Sequence, residues 1–163
     1  MRLSALINPL KVSIAILWLA SSSVWAAPKY RILHAFTGGN DGGGLWSSLV
    51  RDKKGNLYGT TSGDGAYGGG TVYRLTQQAN GKWTETVLHN FILNKDGGAP
   101  FGGPTLDTAG NLYGTTCCGG GPYTYGTVFK LTSGSSGWKE TVIHRFWPTR
   151  LGRCPRCRFG DGP

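Results

Sequence analysis

The run Gly55-Asn56-Leu57-Tyr58-Gly59-Thr60-Thr61 returns unchanged as Gly110-Asn111-Leu112-Tyr113-Gly114-Thr115-Thr116, displaced by 55 residues. Self-similarity at a fixed period marks a chain built from stacked supersecondary units, each unable to bury its faces alone. Working outward, residues 32–61 align without a gap on residues 87–116, with 14 identities in 30 positions. The shared positions include His34/His89, Phe36/Phe91, Asp41-Gly42/Asp96-Gly97 and Asp52/Asp107. Gly70 to Thr76 then pairs with Gly126 to Thr132 at an offset of 56, and Trp83 to Val87 with Trp138 to Val142 back at 55. The slip falls between strands, where insertions are tolerated. A third copy opens at Val142-Ile143-His144-Arg145-Phe146 and then loses the pattern.

Each unit divides into four short strands separated by turn signals. In the first copy they are Leu49 to Asp52, Asn56 to Thr61, Thr71 to Thr76 and Trp83 to Phe91. Asp52 to Gly55 and Asp107 to Gly110 have the length and residue types of tight hairpin connections, whereas Ser62 to Gly70 is a looser Gly-rich loop. Twenty-eight glycines argue against helices and for dense turns. The expected fold is all-β: tandem four-stranded repeats of about 55 residues, packed as β-propeller-like, kelch-like blades. A β-sandwich or an open stack of hairpins is the alternative. A closed propeller typically takes about four to eight blades, so the array is expected to be partial, completed by a longer chain or by assembly of several chains.

The N-terminal residues have the layout of an export signal. Arg2 and Lys11 supply positive charge, Val12 to Ala20 an apolar run, and Val24-Trp25-Ala26 a cleavage site. Cleavage after Ala26 is preferred, because a cut after Ala27 would place Pro28 directly behind the scissile bond. The competing reading, a membrane anchor, needs an apolar run of about 20 residues, longer than this one. The expected division is therefore 1–26 signal peptide, 27–86 repeat 1, 87–141 repeat 2 and 142–163 the start of repeat 3 with an aberrant basic tail. The mature chain is expected to be exported (secreted, periplasmic or at the cell surface), with no integral membrane segment after cleavage.

A formal charge of +9 invites a nucleic-acid reading until it is located. Residues 147–163 carry a net +3 and the leader +2, which leaves +4 scattered over residues 27–146. That is the charge of a soluble surface. No basic stripe with interleaved stacking aromatics is present, so nucleic acid is not an expected partner.

Taken together, Asp-Gly, Gly-Asn-Leu-Tyr-Gly-Thr-Thr, a glycine doublet or triplet and Gly126-Thr-Val-Phe-Lys-Leu131 resemble the GloVer-type (Gloeo/Verruco) extracellular tandem repeat of exported, choice-of-anchor bacterial proteins. The resemblance covers about residues 30–146. It implies many copies, often a C-terminal anchoring segment, and display at the cell surface. It carries over no catalytic residue. The chain departs from the pattern after Phe146, where Leu151-Gly152 stands in place of Asp-Gly, and a frameshifted or truncated reading frame is the expected reason.

His34, His89 and His144 recur in one Leu/Ile-His-x-Phe context, so a structural role in strand packing or hydrogen bonding is expected. Zinc needs a mixed set of converging ligands rather than one residue per unit, and no metal or cofactor set is nominated. Asp41 and Asp96 lack the spacing of a calcium loop and read as turn residues. Glu85 and Glu140 repeat within one strand and are expected to face solvent. No catalytic carboxylate pair is evident. Cys117, Cys118, Cys154 and Cys157 read as candidates for disulfides in an oxidising compartment, in any of three fully paired connectivities. The aromatic pairs Trp46/Phe101, Tyr58/Tyr113, Tyr73/Phe129 and Trp83/Trp138 are expected in the core or between blades, where size matters and a hydroxyl does not. Tyr67, Tyr123 and Tyr125 lie in the Gly-rich loops and are the candidate ligand contacts.

The resulting expectation is an exported non-catalytic β-repeat scaffold that meets an extracellular protein or glycan through its loops, with self-assembly as a further possibility. The alternatives are a secreted glycan-binding or glycan-cleaving propeller and a non-functional fragment of a longer repeat protein.

Overall fold

Each residue of the repeated heptapeptide has a structural task in the computed structural model of the chain, which describes residues 29–122 and 125–147. Eight strands are formed: β1 (Val50–Arg51), β2 (Leu57–Thr61), β3 (Thr71–Gln77), β4 (Trp83–Asn90), β5 (Thr105–Leu106), β6 (Leu112–Thr115), β7 (Thr127–Gly134) and β8 (Gly137–Arg145). They make two four-stranded antiparallel meanders, β1-β2-β3-β4 and β5-β6-β7-β8, with no helix among the described residues. The all-β expectation and the four strands per repeat hold, to within one or two residues at each strand end.

Gly55 closes the β1–β2 turn at φ 88°, a left-handed backbone that a side chain would strain, and Gly110 closes β5–β6 at 87°. The Asp52 carboxylate staples that turn, accepting bonds from Lys54 N (2.9 Å), Asn56 N (2.9 Å), Asn56 Nδ2 (2.8 Å) and the Tyr58 hydroxyl (3.0 Å). Asp107 accepts the same four bonds from Ala109 N, Asn111 N, Asn111 Nδ2 and the Tyr113 hydroxyl. Leu112 is fully buried. A Cβ on Gly59 would press into the Tyr73 ring, and one on Gly114 into Phe129, so glycine there makes room for the aromatic of the next strand. Thr61 Oγ1 lies 3.0 Å from Thr71 Oγ1 and accepts from Thr71 N, and the Thr116/Thr127 pair repeats this. Thr60 reaches the neighbouring repeat, as described below.

The core lies between the two sheets. Tyr58, Val72, Leu88 and Phe91 come from the first sheet and its end and Leu112, Phe129 and Leu131 from the second sheet, with Val50, Leu106 and Trp138 packed against them. Strands of equal rank are neighbours, β1 with β5 and β4 with β8. Phe91 meets Phe129 edge-to-face at 5.0 Å and 64°, and Phe36 meets Tyr73 at 4.8 Å and 61°. Burying one such ring contributes about 1.5–3 kcal/mol, with about 0.5–1.5 more for the edge-to-face contact.

The structural unit is out of phase with the sequence unit. β4 crosses the 86/87 boundary and β8 the 141/142 boundary, so His89-x-Phe91 ends one sheet while Asp96-Gly97 locks onto the next. Thr127 Oγ1 donates to Asp96 O at 2.9 Å, and Gly98 and Cys118 exchange backbone hydrogen bonds. Gly43 and Gly63 make the same bridge in the first repeat.

Two sequence expectations need correction. Trp46 is 74% exposed and is no core residue, because it lies ahead of β1 on a connector with nothing stacked over it among the described residues. The Tyr58 and Tyr113 hydroxyls do matter, since each completes an aspartate staple, and only the Tyr73/Phe129 position is indifferent to one. The expected signal peptide and the basic tail lie outside the described residues. No helix among the described residues is long and apolar enough to cross a membrane.

Candidate functional site

Where one repeat hands over to the next, three polar side chains converge. His89 at the end of β4, Asp96 on the connector and Glu140 in β8 present ligand atoms within 4.8 Å of one another. The His89 ring is fixed by its edge-to-face contact with Phe91 (4.8 Å, 83°). Asp96 Oδ1 accepts from Ile92 N at 2.7 Å, which leaves Oδ2 for His89 Nε2 at 3.1 Å. The Asp96 side chain is only 6% exposed. Glu140 brings a carboxylate oxygen to this group, and its Oε1 is fully buried with no hydrogen-bond partner among the described residues.

The same trio stands 55 residues earlier as His34, Asp41 and Glu85. His34 Nε2 lies 3.6 Å from Asp41 Oδ2, a looser approach, and His34 stacks edge-on to Phe36 at 4.6 Å. Asp41 Oδ1 and Oδ2 accept from the Thr37 backbone and hydroxyl and from Gly39 N, as expected of a turn residue. The Thr37 N–H bond leads in holding the Asp41 carboxyl below its usual range. Glu85 Oε1 is buried and unpartnered like its counterpart. Burial pushes both glutamates up; His34 opposes the shift at Glu85 and Asp41 adds to it, as His89 and Asp96 do at Glu140. These glutamates are therefore not the solvent-facing strand positions expected from sequence. Alternation along β4 and β8 turns them toward the connector, a relationship across 44 residues that strand periodicity cannot reveal.

A groove of about 590 Å³ opens between the two turn regions, lined by Arg51, Lys53, Lys54, Arg74 and the Trp138 ring. The Arg74 Nε is buried without a hydrogen-bond partner among the described residues. Asp52 and Asp107 also line it. At Asp52 burial works upward, but the bonds from Asn56, Tyr58 and Lys54 outweigh it and hold the carboxyl below its usual range. At Asp107 the Asn111 side-chain bond leads in the same direction. Neither is a proton donor near neutrality.

Of the loop tyrosines, Tyr67 is 64% exposed, Tyr125 is partly buried with its N–H on Phe146 O (2.8 Å), and Tyr123 lies outside the described residues. The structure does not bring Tyr67 and Tyr125 together with the groove or with the His-Asp-Glu trios. Cys118 is buried and disulfide-bonded; Cys154 and Cys157 lie outside the described residues. His144 stacks on Phe146 at 4.9 Å like its two counterparts, but position 151 holds Leu151 where the others have aspartate.

No curated protein and no solved structure matches the chain. The family model for the Gloeobacter/Verrucomicrobia repeat matches residues 23–159. The stapled turns, paired threonines and recurring trios all fall within the matched residues, and the chain belongs to the Gloeobacter/Verrucomicrobia repeat family.

Proposed function

We propose that this chain is an exported, non-catalytic scaffold whose repeats stack in the manner of propeller blades and whose outer loops meet an extracellular protein or glycan. One observation carries the reading: surfaces buried between the two repeats are exposed where a further repeat would sit. Leu88 and Phe91 are buried, while their counterparts Ile143 and Phe146 are exposed. Pro100 and Pro104 are buried, while Leu45 and Leu49 are exposed. Thr60 is buried against repeat 2, while Thr115 is exposed. The two faces are complementary rather than identical, so stacking through them is heterologous and closes into a ring or continues as an array.

Size-exclusion chromatography with light scattering on the mature chain, with a thermal melt of the same sample, tests this. A compact oligomer with a cooperative melt, dissociated by Phe146→Asp, is expected. A monomer that melts without cooperativity overturns self-stacking and places any function in a longer array.

A second reading, glycan binding, is favoured by the groove. Its cations and the Trp138 ring suit an acidic sugar, by ion pairing to a carboxylate or sulfate and by stacking on a pyranose face. Binding is favoured over cleavage, because hydrolysis calls for one carboxyl with a raised pKa and the groove's two aspartates are both held low. A glycan array comparing uronate-rich with neutral polysaccharides tests it; equal or absent binding to both overturns it.

A further inference from the structure

We propose that His89, Asp96 and Glu140 form a divalent-metal site, with Zn²⁺ the preferred ion, that joins one repeat to the next. Along the sequence, one histidine per repeat offers no mixed set of converging ligands. The fold supplies that set, with one imidazole and two carboxylates whose donor atoms lie within 4.8 Å. Three protein ligands and one water satisfy the tetrahedral preference of zinc, and bonds of about 2.0–2.2 Å draw such donors to about 3.5 Å of one another. Small rotations of Glu140 and His89 cover the difference.

The donors are also held as ligands are held. Asp96 has one oxygen tied to Ile92 N and the other free to turn from His89 to an ion. His89 is oriented by Phe91. Glu140 Oε1 is the independent sign, because a buried carboxylate oxygen without a partner is costly and a cation at this point would satisfy it. The unpartnered oxygen recurs at Glu85 in the first repeat, so it is not an isolated accident of packing. The cations Arg145 and Lys95 lie close enough to act on Glu140, but the Arg145 guanidinium is turned to the carbonyls of Gly120 and Lys95. The trio spans three segments: the last strand of one sheet, the connector, and the last strand of the next. A metal here would pin consecutive repeats together.

The test is equilibrium dialysis of the purified chain, stripped with chelator, against Zn²⁺, with metal analysis of the retained protein. The expected result is one tightly held equivalent that is lost in Glu140→Gln and in His89→Gln and kept in His144→Gln. Replacement by Co²⁺ should give a visible tetrahedral absorption band that disappears in the same two variants. The wild-type stoichiometry needs no variant to fold, and near-UV circular dichroism checks those that are made. Absence of a tight equivalent overturns the site, because the trio is then held only by the contact between His89 Nε2 and Asp96 Oδ2. Zinc retained by both variants also overturns it, because other donors then hold the ion.

Discussion

The Thr60 hydroxyl lies 3.1 Å from the Pro100 carbonyl oxygen and 3.1 Å from that of Gly102, so one hydroxyl on β2 holds the connector that enters the second repeat. Thr115 occupies the same place in the second repeat and is exposed. Thr60→Val should therefore cost about 1–3 kcal/mol, the range for stranding a buried partner, while Thr115→Val stays within about 0.5. Urea denaturation of the two variants side by side gives the comparison; equal losses would mean that the bond carries no stability between repeats.

Phe91 and Phe146 form a second matched pair, 0% and 45% exposed. Phe91→Ala should destabilise by about 3–5 kcal/mol, because it empties the space against Phe129. Phe146→Ala should cost far less in the monomer and should become costly at concentrations where chains stack. Thermal melts over a hundredfold range of protein concentration separate the two.

The aspartate staples set an acid limit. Asp52 and Asp107 have folded pKa values below the usual aspartate value of 3.8, so the unfolded chain takes up their protons first as pH falls. Their contribution is complete above the unfolded value and is lost as pH drops through the lower folded one. Asp52→Asn with Asp107→Asn should flatten the dependence of melting temperature on pH below about pH 4 relative to wild type. An unchanged acid slope in the double variant would place the acid sensitivity elsewhere.

At the alkaline end, burial pushes the Tyr73 hydroxyl up to about 12, with the Glu85 charge adding to the shift. The folded state thus favours the neutral phenol, and that contribution is present below the unfolded value of 10.0 and lost as pH rises through the folded value. Ultraviolet titration should show two phenols, Tyr58 and Tyr73, ionising above the usual tyrosine range in wild type but not in unfolded chain, and Tyr73→Phe should remove the late phase near pH 12. A late phase that survives in Tyr73→Phe belongs to another tyrosine.

Much of this was legible in the chain because its cause is local. Asp52, Asn56 and Tyr58 act within six residues of each other, so the hairpin and its strands follow from the turn residues alone. The Tyr73/Phe129 exchange announced a packed ring, and both are buried. The trios were missed because their members come from different strands, with His89 and Glu140 51 positions apart, and only the packing of repeat on repeat brings them together. Trp46 misled because an aromatic repeated in register need not be packed: it is 74% exposed, and its counterpart Phe101, also expected in the core or between blades, is 37% exposed.

The half-step between sequence period and sheet has a consequence for how such genes can change. Because each copy ends one sheet and fastens the next, excising or duplicating one period, 55 residues or 56 where the cut falls between Gly70 and Thr76, regenerates the same junction. Unequal crossing-over can then lengthen or shorten the array without inventing a contact. The number of copies becomes a heritable dial on reach, and each copy's outer loops drift on their own.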